Sequence, residues 1–360
     1  MTPRLGSSAV ESLARGKARE LSAALMQRPI RSRLVLTIAG FGGLTLVTCL
    51  LAPLVGSTSI SLSRVFDRSI PFADNVDAQI FFIARMPRVL AGAVTGAALA
   101  AAGVVFQAML RNPLATPFTL GVSAGASLGA MTAIVLGTSV AIGPFSVVPL
   151  ASLVGAAIAA AIVYRLATLR DRAMSTTVLL LAGVTLNAFF SALIMFLQYL
   201  SNFAQVYRAM RWVMGDLDVG SFQPILAALP LIAIAFALFA MLPSSLNLLS
   251  VGVDAAAARG VDTARTQRLA FVSASVATAA AVSLAGPIGF IGIVVPHLVR
   301  LLVGVDHRVV LPASALFGAA FLVACDVGAR MLLAPLEVPV GVITALIGGP
   351  FFLWLLIRRG

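Results

Sequence analysis

Side chains that could carry out catalysis or bind a metal are scarce in this sequence. The two histidines, His297 and His307, have no carboxylate at metal-ligand spacing, and the two cysteines, Cys49 and Cys325, both lie inside apolar runs. Lys17 is the single lysine, so a phosphate-binding loop of the kind that needs a lysine after its glycines cannot be built beyond it. We therefore expect no enzyme, no metal ligand and no cofactor bound by this chain.

Ionisable side chains are equally scarce inside the apolar runs. Asp326 is the one carboxylate well within such a run, whereas proton-coupled carriers relay protons through buried titratable groups. The tripeptide Asp306-His307-Arg308 is interpreted as a solvated turn in a loop. This scarcity disfavours a secondary transporter with its own ion coupling, which stays an alternative.

The composition indicates what surrounds these few groups. Hydrophobic residues make up 60% of the 360 residues and charged residues 11%, whereas soluble domains carry roughly 25% charge. Such a chain cannot cover its surface with polar groups, so lipid must surround it. The formal charge of +12 is scattered between apolar runs. That placement is typical of membrane topology signals and argues against nucleic-acid binding.

Ten apolar runs follow one another, and most are long enough for a helix across the bilayer, which takes ~20 residues. They fall near 34–55, 87–110, 117–137, 147–166, 176–199, 224–243, 267–286, 289–304, 309–332 and 338–357. The run at 289–304 is short and contains Pro296. Glycines spaced four apart predict close contact between helix backbones; they are Gly92 and Gly96, and Gly121, Gly125 and Gly129.

Charge placement predicts the orientation. With the N-terminus in the cytoplasm, most of the 25 lysines and arginines fall on the cytoplasmic side. The outer segments hold the exceptions, Arg64, Arg68, Arg85, Arg88, Arg208, Arg211 and Arg330. We therefore expect an all-α polytopic protein of the bacterial inner membrane, with both termini cytoplasmic. Residues 1–33 would be a cytoplasmic tail, either an amphipathic helix on anionic lipid or a disordered segment, and residues 34–360 a ten-helix transmembrane domain.

Several short motifs are hard to explain in a generic membrane protein. In chain order they are RMPR (85–88), GVVFQ (103–107), RNPLATP (111–117), GVSAGA (121–126), LAGV (181–184), RWVMG (211–215), GPIGFIG (286–292), VPH (295–297), ACDVGAR (324–330) and EVPVG (337–341). This ordered set, which extends from about residue 35 to the end, resembles the permease family of type II ATP-binding-cassette (ABC) importers. The cargoes of that family are iron–siderophore complexes, haem and vitamin B12.

The resemblance implies an assembly. The permease would pair with a second permease subunit, expected to be an identical copy, and metal-chelate cargo would pass between them. Two cytoplasmic ATPase subunits would bind ATP and Mg²⁺, and a periplasmic binding protein would deliver the cargo. We expect an iron complex, either a ferric siderophore or haem, with vitamin B12 as the alternative. A membrane scaffold without transport is a third hypothesis, but it would not need so many glycine-broken helices.

The same resemblance assigns docking to arginines on the outer side. Arg85 and Arg88 share one helix face at a spacing of three, and Arg330 lies at the outer end of another run. In the family, arginines at these motif positions meet acidic side chains of the binding protein. The alternatives are anchoring to lipid headgroups, or pairing within the chain with Asp77 or Glu337.

A loop over residues 249–267 resembles the family's pair of short coupling helices, which transmit movement of the ATPase subunits. Its predicted functional residues are Asp254, Arg259, Gly260 and Val261, with Gly260 allowing a tight turn between the two helices. The alternative interpretation is an ordinary amphipathic loop.

A cytoplasmic gate is the last predicted site. Asn112 and Leu114 match family positions near the cytoplasmic mouth, and Thr176 and Thr177 begin the fifth apolar run near the same mouth. Small polar side chains there would narrow the path without holding cargo strongly. The alternative is that Asn112 and Thr176 cap helices.

Overall fold

A computed structural model describes residues 29–137, 141–142, 145–169 and 174–359. Its α-helices are α1 Ile30–Leu51, α2 Leu62–Val65, α3 Val76–Gln79, α4 Met86–Leu110, α5 Val122–Val135, α6 Val147–Thr168, α7 Thr176–Tyr199, α8 Phe203–Val213, α9 Gln223–Ala240, α10 Pro243–Leu249, α11 Val253–Ala258, α12 Thr263–Ala285, α13 Ile291–Val303, α14 His307–Leu332 and α15 Val340–Arg359. Two strands of two residues, β1 Ala141–Ile142 and β2 Phe145–Ser146, form a small antiparallel hairpin. Residues 1–28 of the predicted tail lie outside the described residues, and its last four residues, 30–33, already belong to α1.

Each predicted apolar run corresponds to an observed helix. Among the described residues, seven helical segments are long and apolar enough to cross a membrane. Three shorter apolar helices, Val122–Val135, Ile291–Val303 and Val340–Leu355, occupy the remaining runs. The all-α membrane fold is thereby confirmed. The number of crossings and the side on which each terminus lies stay predictions.

The helices α4, α12 and α14 form the centre of the molecule. In the most apolar stretch of each, at least 72% of the residues are buried, against 6–28% in α1, α6, α7 and α9. The backbones of α4 and α14 meet at Gly96 and Gly318, where a Cβ added to Gly318 would come within 2.5 Å of the Gly96 carbonyl oxygen. Only glycine permits this approach, so the close contact predicted from the glycine spacing is confirmed at Gly96.

The run predicted over 117–137 is not one helix. A 3₁₀ turn, Pro117–Leu120, is followed by Gly121 in the left-handed region (φ +79°), and α5 begins only at Val122. The break arises because glycine adopts this φ without steric cost, so Gly121 serves a turn rather than helix packing. Gly125, one turn into α5, does serve packing, because an added Cβ would lie 2.5 Å from the Gly155 carbonyl of α6.

Apart from the predicted pair of coupling helices in the 249–267 loop, the short helices outside the membrane runs were absent from the sequence prediction. α2, α3 and a π-helical turn, Ile80–Arg85, lead into α4 on the predicted outer side. α8 lies between α7 and α9, and α10 lies between α9 and α11. These segments are too short or too polar to give a hydropathy signal, but α2, α3 and the turn bring Arg85 to the end of α4, and α10 carries part of the site described below.

Candidate functional site

Five charged side chains meet at one end of the α4–α14 pair, and we call them the outer cluster: Arg85, Arg88, Asp326, Arg330 and Glu337. Arg88 Nε lies 2.9 Å from one oxygen of Asp326, and Arg330 Nε lies 3.1 Å from the other. Arg88 Nη1 also lies 2.5 Å from Glu337 Oε2. Asp326 is 1% exposed. A carboxylate at this depth needs both guanidinium groups, since an unpaired buried charge is strongly destabilising.

The outer cluster also holds the loop that follows α1. Arg85 donates hydrogen bonds to the carbonyl oxygens of Pro53 and Thr58. Arg330 donates to the carbonyl of Val55 at 2.9 Å. Three arginines face only two carboxylates, so the cluster carries one net positive charge. Backbone carbonyls supply the remaining acceptors, and in doing so they fix the loop against α4 and α14.

The side chains of the three arginines predicted to dock a binding protein are therefore buried within the protein. Each is at most 7% exposed. The alternative of internal pairing is observed between Arg88 and Glu337, whereas Asp77 accepts a hydrogen bond from the Ser61 backbone N–H. Glu337 is the part of the cluster that faces outward, with 46% of its side chain exposed. Docking itself stays a prediction.

The predicted coupling segment folds as two short helices, α10 and α11. Leu246, Leu249 and Ala256 are completely buried and anchor the pair against the helical core. Asp254, Arg259 and Gly260 are exposed, whereas Val261 is half-buried and packs against the core. The pair spans residues 243–258, so the predicted range 249–267 began inside α10 and ended inside α12. One face of the pair is thus held rigidly and the other is free to contact a partner.

The prediction that Gly260 forms the turn between the short helices is wrong. Gly252, with φ 154°, separates α10 from α11, and Gly260, with φ +81°, follows α11. The Gly260 N–H donates to Ala257 at 2.9 Å and the Val261 N–H donates to Ala256 at 3.1 Å. This is the Schellman pattern, in which a left-handed glycine closes a helix. Gly260 therefore sets the direction from α11 into α12.

The predicted gate residues fall in two separate places. Asn112 accepts the Leu114 N–H at 2.9 Å, so it stabilises a turn after α4 rather than capping a helix. Thr176 is the first residue of α7, and the cap is its neighbour Ser175, whose hydroxyl accepts from Val178. The capping alternative is therefore wrong for both residues. Among the described residues no hydrogen bond joins the 112–114 turn to Thr176 or Thr177, and the gate stays a prediction.

A second group of polar side chains lies at the opposite end of the α4–α14 pair. We call it the inner network: Gln107, Asn247, Arg300, Asp306 and His307. Gln107 donates to the Gly292 carbonyl at 2.8 Å and accepts from Arg300 at 2.6 Å, which joins α4 to α13. Asn247 of α10 donates to Asp306 at 2.7 Å and accepts from His307 Nδ1 at the same distance, which joins α10 to α14. In each half of the network, the side-chain amide of Gln107 or Asn247 both donates and accepts a hydrogen bond.

The interpretation of Asp306-His307-Arg308 as a solvated turn is wrong for its first two residues. His307 is 8% exposed, and Asp306 is half-buried as the N-cap of α14. Partial burial raises the pKa of Asp306, but hydrogen bonds from Asn247 and the Arg308 backbone, together with the charges of Arg308 and Arg33, bring the pKa below its ordinary value. Asp306 is thus a stable anion at neutral pH, and it orients the Asn247 amide.

A groove of about 590 Å³ opens beside the inner network. Its lining combines the network with Arg111 and Asn112 after α4 and with Ser250 and Val251 after α10. Arg111 has left-handed backbone geometry, with φ 49°, which is uncommon for a residue other than glycine. The groove therefore connects one of the predicted gate positions, Asn112, to the base of the coupling pair.

A family model described as the FecCD transport family matches residues 44–358. The chain belongs to the FecCD transport family. The matched range includes both the outer cluster and the coupling pair.

Relatives with assigned names agree with this membership. The chain is 48% identical over 275 residues to the cobalamin import system permease protein BtuC of Halobacterium salinarum, which covers 76% of this chain and 72% of that protein. It is 37% identical over 313 residues to the hemin transport system permease protein HmuU of Yersinia pestis (85% and 90%). It is 40% identical over 274 residues to the Fe(3+) dicitrate transport system permease protein FecD of Escherichia coli (76% and 84%).

A solved structure described as an inward-facing conformation of a metal-chelate type ABC transporter superposes with a TM-score of 0.76 at 31% identity, over 89% of this chain and 98% of that one. This FecCD protein is therefore a multi-pass inner-membrane permease subunit of an ABC importer. As such it works with a separate ATPase, a binding protein and a second permease.

Sequence reasoning missed most of the inner network. Gln107 lay within a motif that had been recognised, and a single amide inside an apolar run was a usable signal of a buried polar contact. Asn247 gave no such signal, because it lies in a polar stretch where an asparagine is ordinary. Its role depends on α10 folding back against the start of α14, which is a long-range contact.

Proposed function

We propose that this FecCD permease pairs with a second copy of itself and forms between the two copies the path for an iron complex, a ferric siderophore or haem, from periplasm to cytoplasm. Vitamin B12 is the second candidate cargo. The names of the relatives support both, since they cover hemin, ferric dicitrate and cobalamin. The chain itself supplies the path and no ATPase activity; ATP and Mg²⁺ bind to two partner subunits.

The observation that carries the proposal is the geometry of α10 and α11. The buried residues Leu246, Leu249 and Ala256 fix the pair to the core, so a force on its exposed face moves the core with it. The exposed face carries Val251, which is 72% exposed, beside the charged Asp254 and Arg259. An exposed apolar side chain flanked by charged residues suits a groove on a protein partner.

The link from this pair to the membrane is short and direct. Gly260 turns the chain from α11 into α12, which is one of the three central helices. Asp262 caps α12 by accepting the Arg265 N–H at 2.9 Å. Movement of the coupling pair would therefore reach α12 through four residues, 259–262. The groove beside Asn112 would change shape as the coupling pair moves, and this change of shape is the role that we propose for the gate.

The test is ATP-driven uptake in proteoliposomes that contain the permease, its ATPase and its binding protein loaded with haem, a ferric siderophore or cobalamin. We expect accumulation of one iron complex and ATP hydrolysis only when the ATPase is present. Gly260→Pro should abolish uptake, because proline cannot adopt φ +81° and loses the N–H bonded to Ala257. Accumulation of cobalamin alone would select the second cargo, and no accumulation of any chelate would contradict the proposal.

A matched control separates coupling from general damage. Gly43 lies in α1 with no atom within 4 Å of an added Cβ and without positive φ, so Gly43→Ala should leave uptake unchanged. Gly260→Ala also has free space but keeps the strained φ, and should cost about 1 kcal/mol locally. Normal uptake in Gly260→Pro would argue against the coupling role of this turn.

A further inference from the structure

A long groove runs along the surface between α6, α9 and α12. Its volume is about 400 Å³, and its exposed lining is entirely apolar. One wall is the stretch of α6 from Leu153 to Tyr164, and the other is the stretch of α12 from Phe271 to Ala279, with Leu231 of α9 completing it. Exposed aliphatic side chains such as Val154 and Ile158 flank the groove. It therefore opens sideways, toward the hydrocarbon of the bilayer.

The length of the groove matches one leaflet. Twelve residues of α6, from Leu153 to Tyr164, rise about 17 Å at 1.5 Å per residue. The hydrocarbon core of a bilayer is ~30 Å thick, so one leaflet contributes ~15 Å. A peptide would bring backbone N–H and C=O groups into a groove whose lining has two hydroxyls, on Tyr164 and Ser275, and is otherwise apolar. An acyl chain fills such a groove and brings no polar group of its own into it.

Positive charge is concentrated at one end of the groove. Tyr164 and Phe271 stack there with ring centroids 5.8 Å apart. Arg165 follows the lining residue Ala161 by four positions, and Arg268 precedes the lining residue Val272 by four, so both arginines continue the groove-facing sides of their helices. Both are exposed. Among the described residues, neither forms a salt bridge.

Beyond the opposite end of the groove the charges balance, because Arg208 and Arg211 lie beside Asp216 and Asp218 at the far ends of α6 and α12. Leu153 and Ala279 close this end, and each is the seventh residue from an end of its helix. At the basic end, among the described residues, Asp262 caps α12 by accepting the Arg265 N–H, and the exposed arginines Arg265 and Arg268 follow it on the same helix. The combination is an apolar slot one leaflet long that ends in surplus positive charge. Basic sites between transmembrane helices of this kind bind anionic lipid headgroups.

We propose that this groove binds one anionic glycerophospholipid, with an acyl chain along α6 and α12 and the phosphate between Arg165 and Arg268. The positive-inside prediction places the headgroup in the cytoplasmic leaflet. The site stands apart from the outer cluster and the inner network, and it does not depend on the cargo. It lies at the start of α12, next to the turn that leads from the coupling pair.

Binding of phosphatidylglycerol and phosphatidylcholine with matched acyl chains to the purified full-length permease tests the proposal, with native mass spectrometry as the readout. Wild type should prefer phosphatidylglycerol. In the double variant Arg165→Gln with Arg268→Gln, the ratio of phosphatidylglycerol to phosphatidylcholine affinity should fall by a factor of about thirty. Each arginine contributes roughly 1 kcal/mol, and 1.4 kcal/mol corresponds to a tenfold change. Arg308→Gln, an exposed arginine outside the groove lining, is the matched control and should change nothing.

A second variant tests the acyl-chain part. Ala161→Phe adds a ring to the groove wall and should reduce binding of both lipids, while circular dichroism confirms the fold. Free glycerol 3-phosphate should not compete at the lipid concentration used. Three results would overturn the proposal: equal binding of the two lipids by wild type, an unchanged preference in the double arginine variant, or full competition by glycerol 3-phosphate. A change of oligomeric state without lipid loss in Ala161→Phe would assign the groove to a second copy instead.

Discussion

Different chemistry is found at the two ends of the α4–α14 pair. At the outer cluster, full charges meet in a buried site, and Asp326 lies within 3.1 Å of guanidinium nitrogens of both Arg88 and Arg330. At the inner network, amides and one imidazole do most of the bonding, and Arg300 meets the neutral Gln107. The outer cluster lies under a loop, whereas the inner network borders an open groove of about 590 Å³.

This difference indicates which end can open. Separating the outer helices would expose buried charges that have lost their partners, which costs several kcal/mol. Separating α4 from α13, or α10 from α14, would replace the amide hydrogen bonds to Arg300 and Asp306 with bonds to water, at about 1.5–3 kcal/mol each. The inner end is also where the coupling pair attaches, through Asn247 of α10. We therefore expect conformational change to begin at the inner network while the outer cluster stays intact.

The largest effect should come from Asp326→Ala. Removing this carboxylate leaves Arg88 and Arg330 buried without their shared counter-ion, and breaking a buried ion network in this way costs about 3–5 kcal/mol. Denaturant unfolding of the purified protein in detergent measures the loss. The triple variant with Arg88→Met and Arg330→Met should recover most of it, because apolar replacement of a whole buried network is close to neutral. A loss below 1 kcal/mol would show that the outer cluster is not the stronger end.

Gln107→Leu tests the inner end and should have a smaller effect. Leucine keeps the volume but leaves the Gly292 carbonyl and the Arg300 guanidinium without this partner. The expected loss is about 1–3 kcal/mol in the free energy of unfolding. Hydrogen exchange should rise in α13 and in the 111–114 turn, and it should stay unchanged around Asp326. Faster exchange at both ends would contradict the independence of the two sites.

The sequence predicted the helices far better than it predicted the contacts. An apolar run directly indicates a segment that contacts lipid or the protein core. All ten predicted runs therefore correspond to helices, including the short one that contains Pro296. The break at Gly121 was missed because hydropathy is blind to backbone φ. Gly260 was recognised as a turn residue but assigned to the wrong turn, since two glycines, Gly252 and Gly260, flank α11 and either could have joined the short helices.

The charged site shows a different limit. The arginines stood out because they break the positive-inside pattern, and Glu337 was considered as a partner. Asp326 was noticed only as a lone acid, although its spacing of four from Arg330 places both on one face of α14. That Arg88 comes from another helix to the same carboxylate depends on the close approach of α4 and α14. The local spacing of residues in the sequence does not reveal tertiary contacts of that kind.

Glu337→Gln should have the smallest effect on stability and the most informative effect on docking. Glu337 is the exposed partner of Arg88, so removing its charge should cost about 0.2–1 kcal/mol. If an acidic side chain of the binding protein takes the place of Glu337, the variant should associate up to about fivefold faster at low salt, because Arg88 no longer has this internal competitor. Asp74→Asn removes the same charge from an exposed position on the same predicted side, and it serves as the control. Stopped-flow association of the labelled binding protein, repeated as salt rises, measures both variants, and the gain should shrink with screening.

An equal gain in Asp74→Asn would mean that only the overall charge matters. A slower association in Glu337→Gln would mean that Glu337 itself contacts the partner, and docking would then use the carboxylate of the outer cluster rather than its arginines.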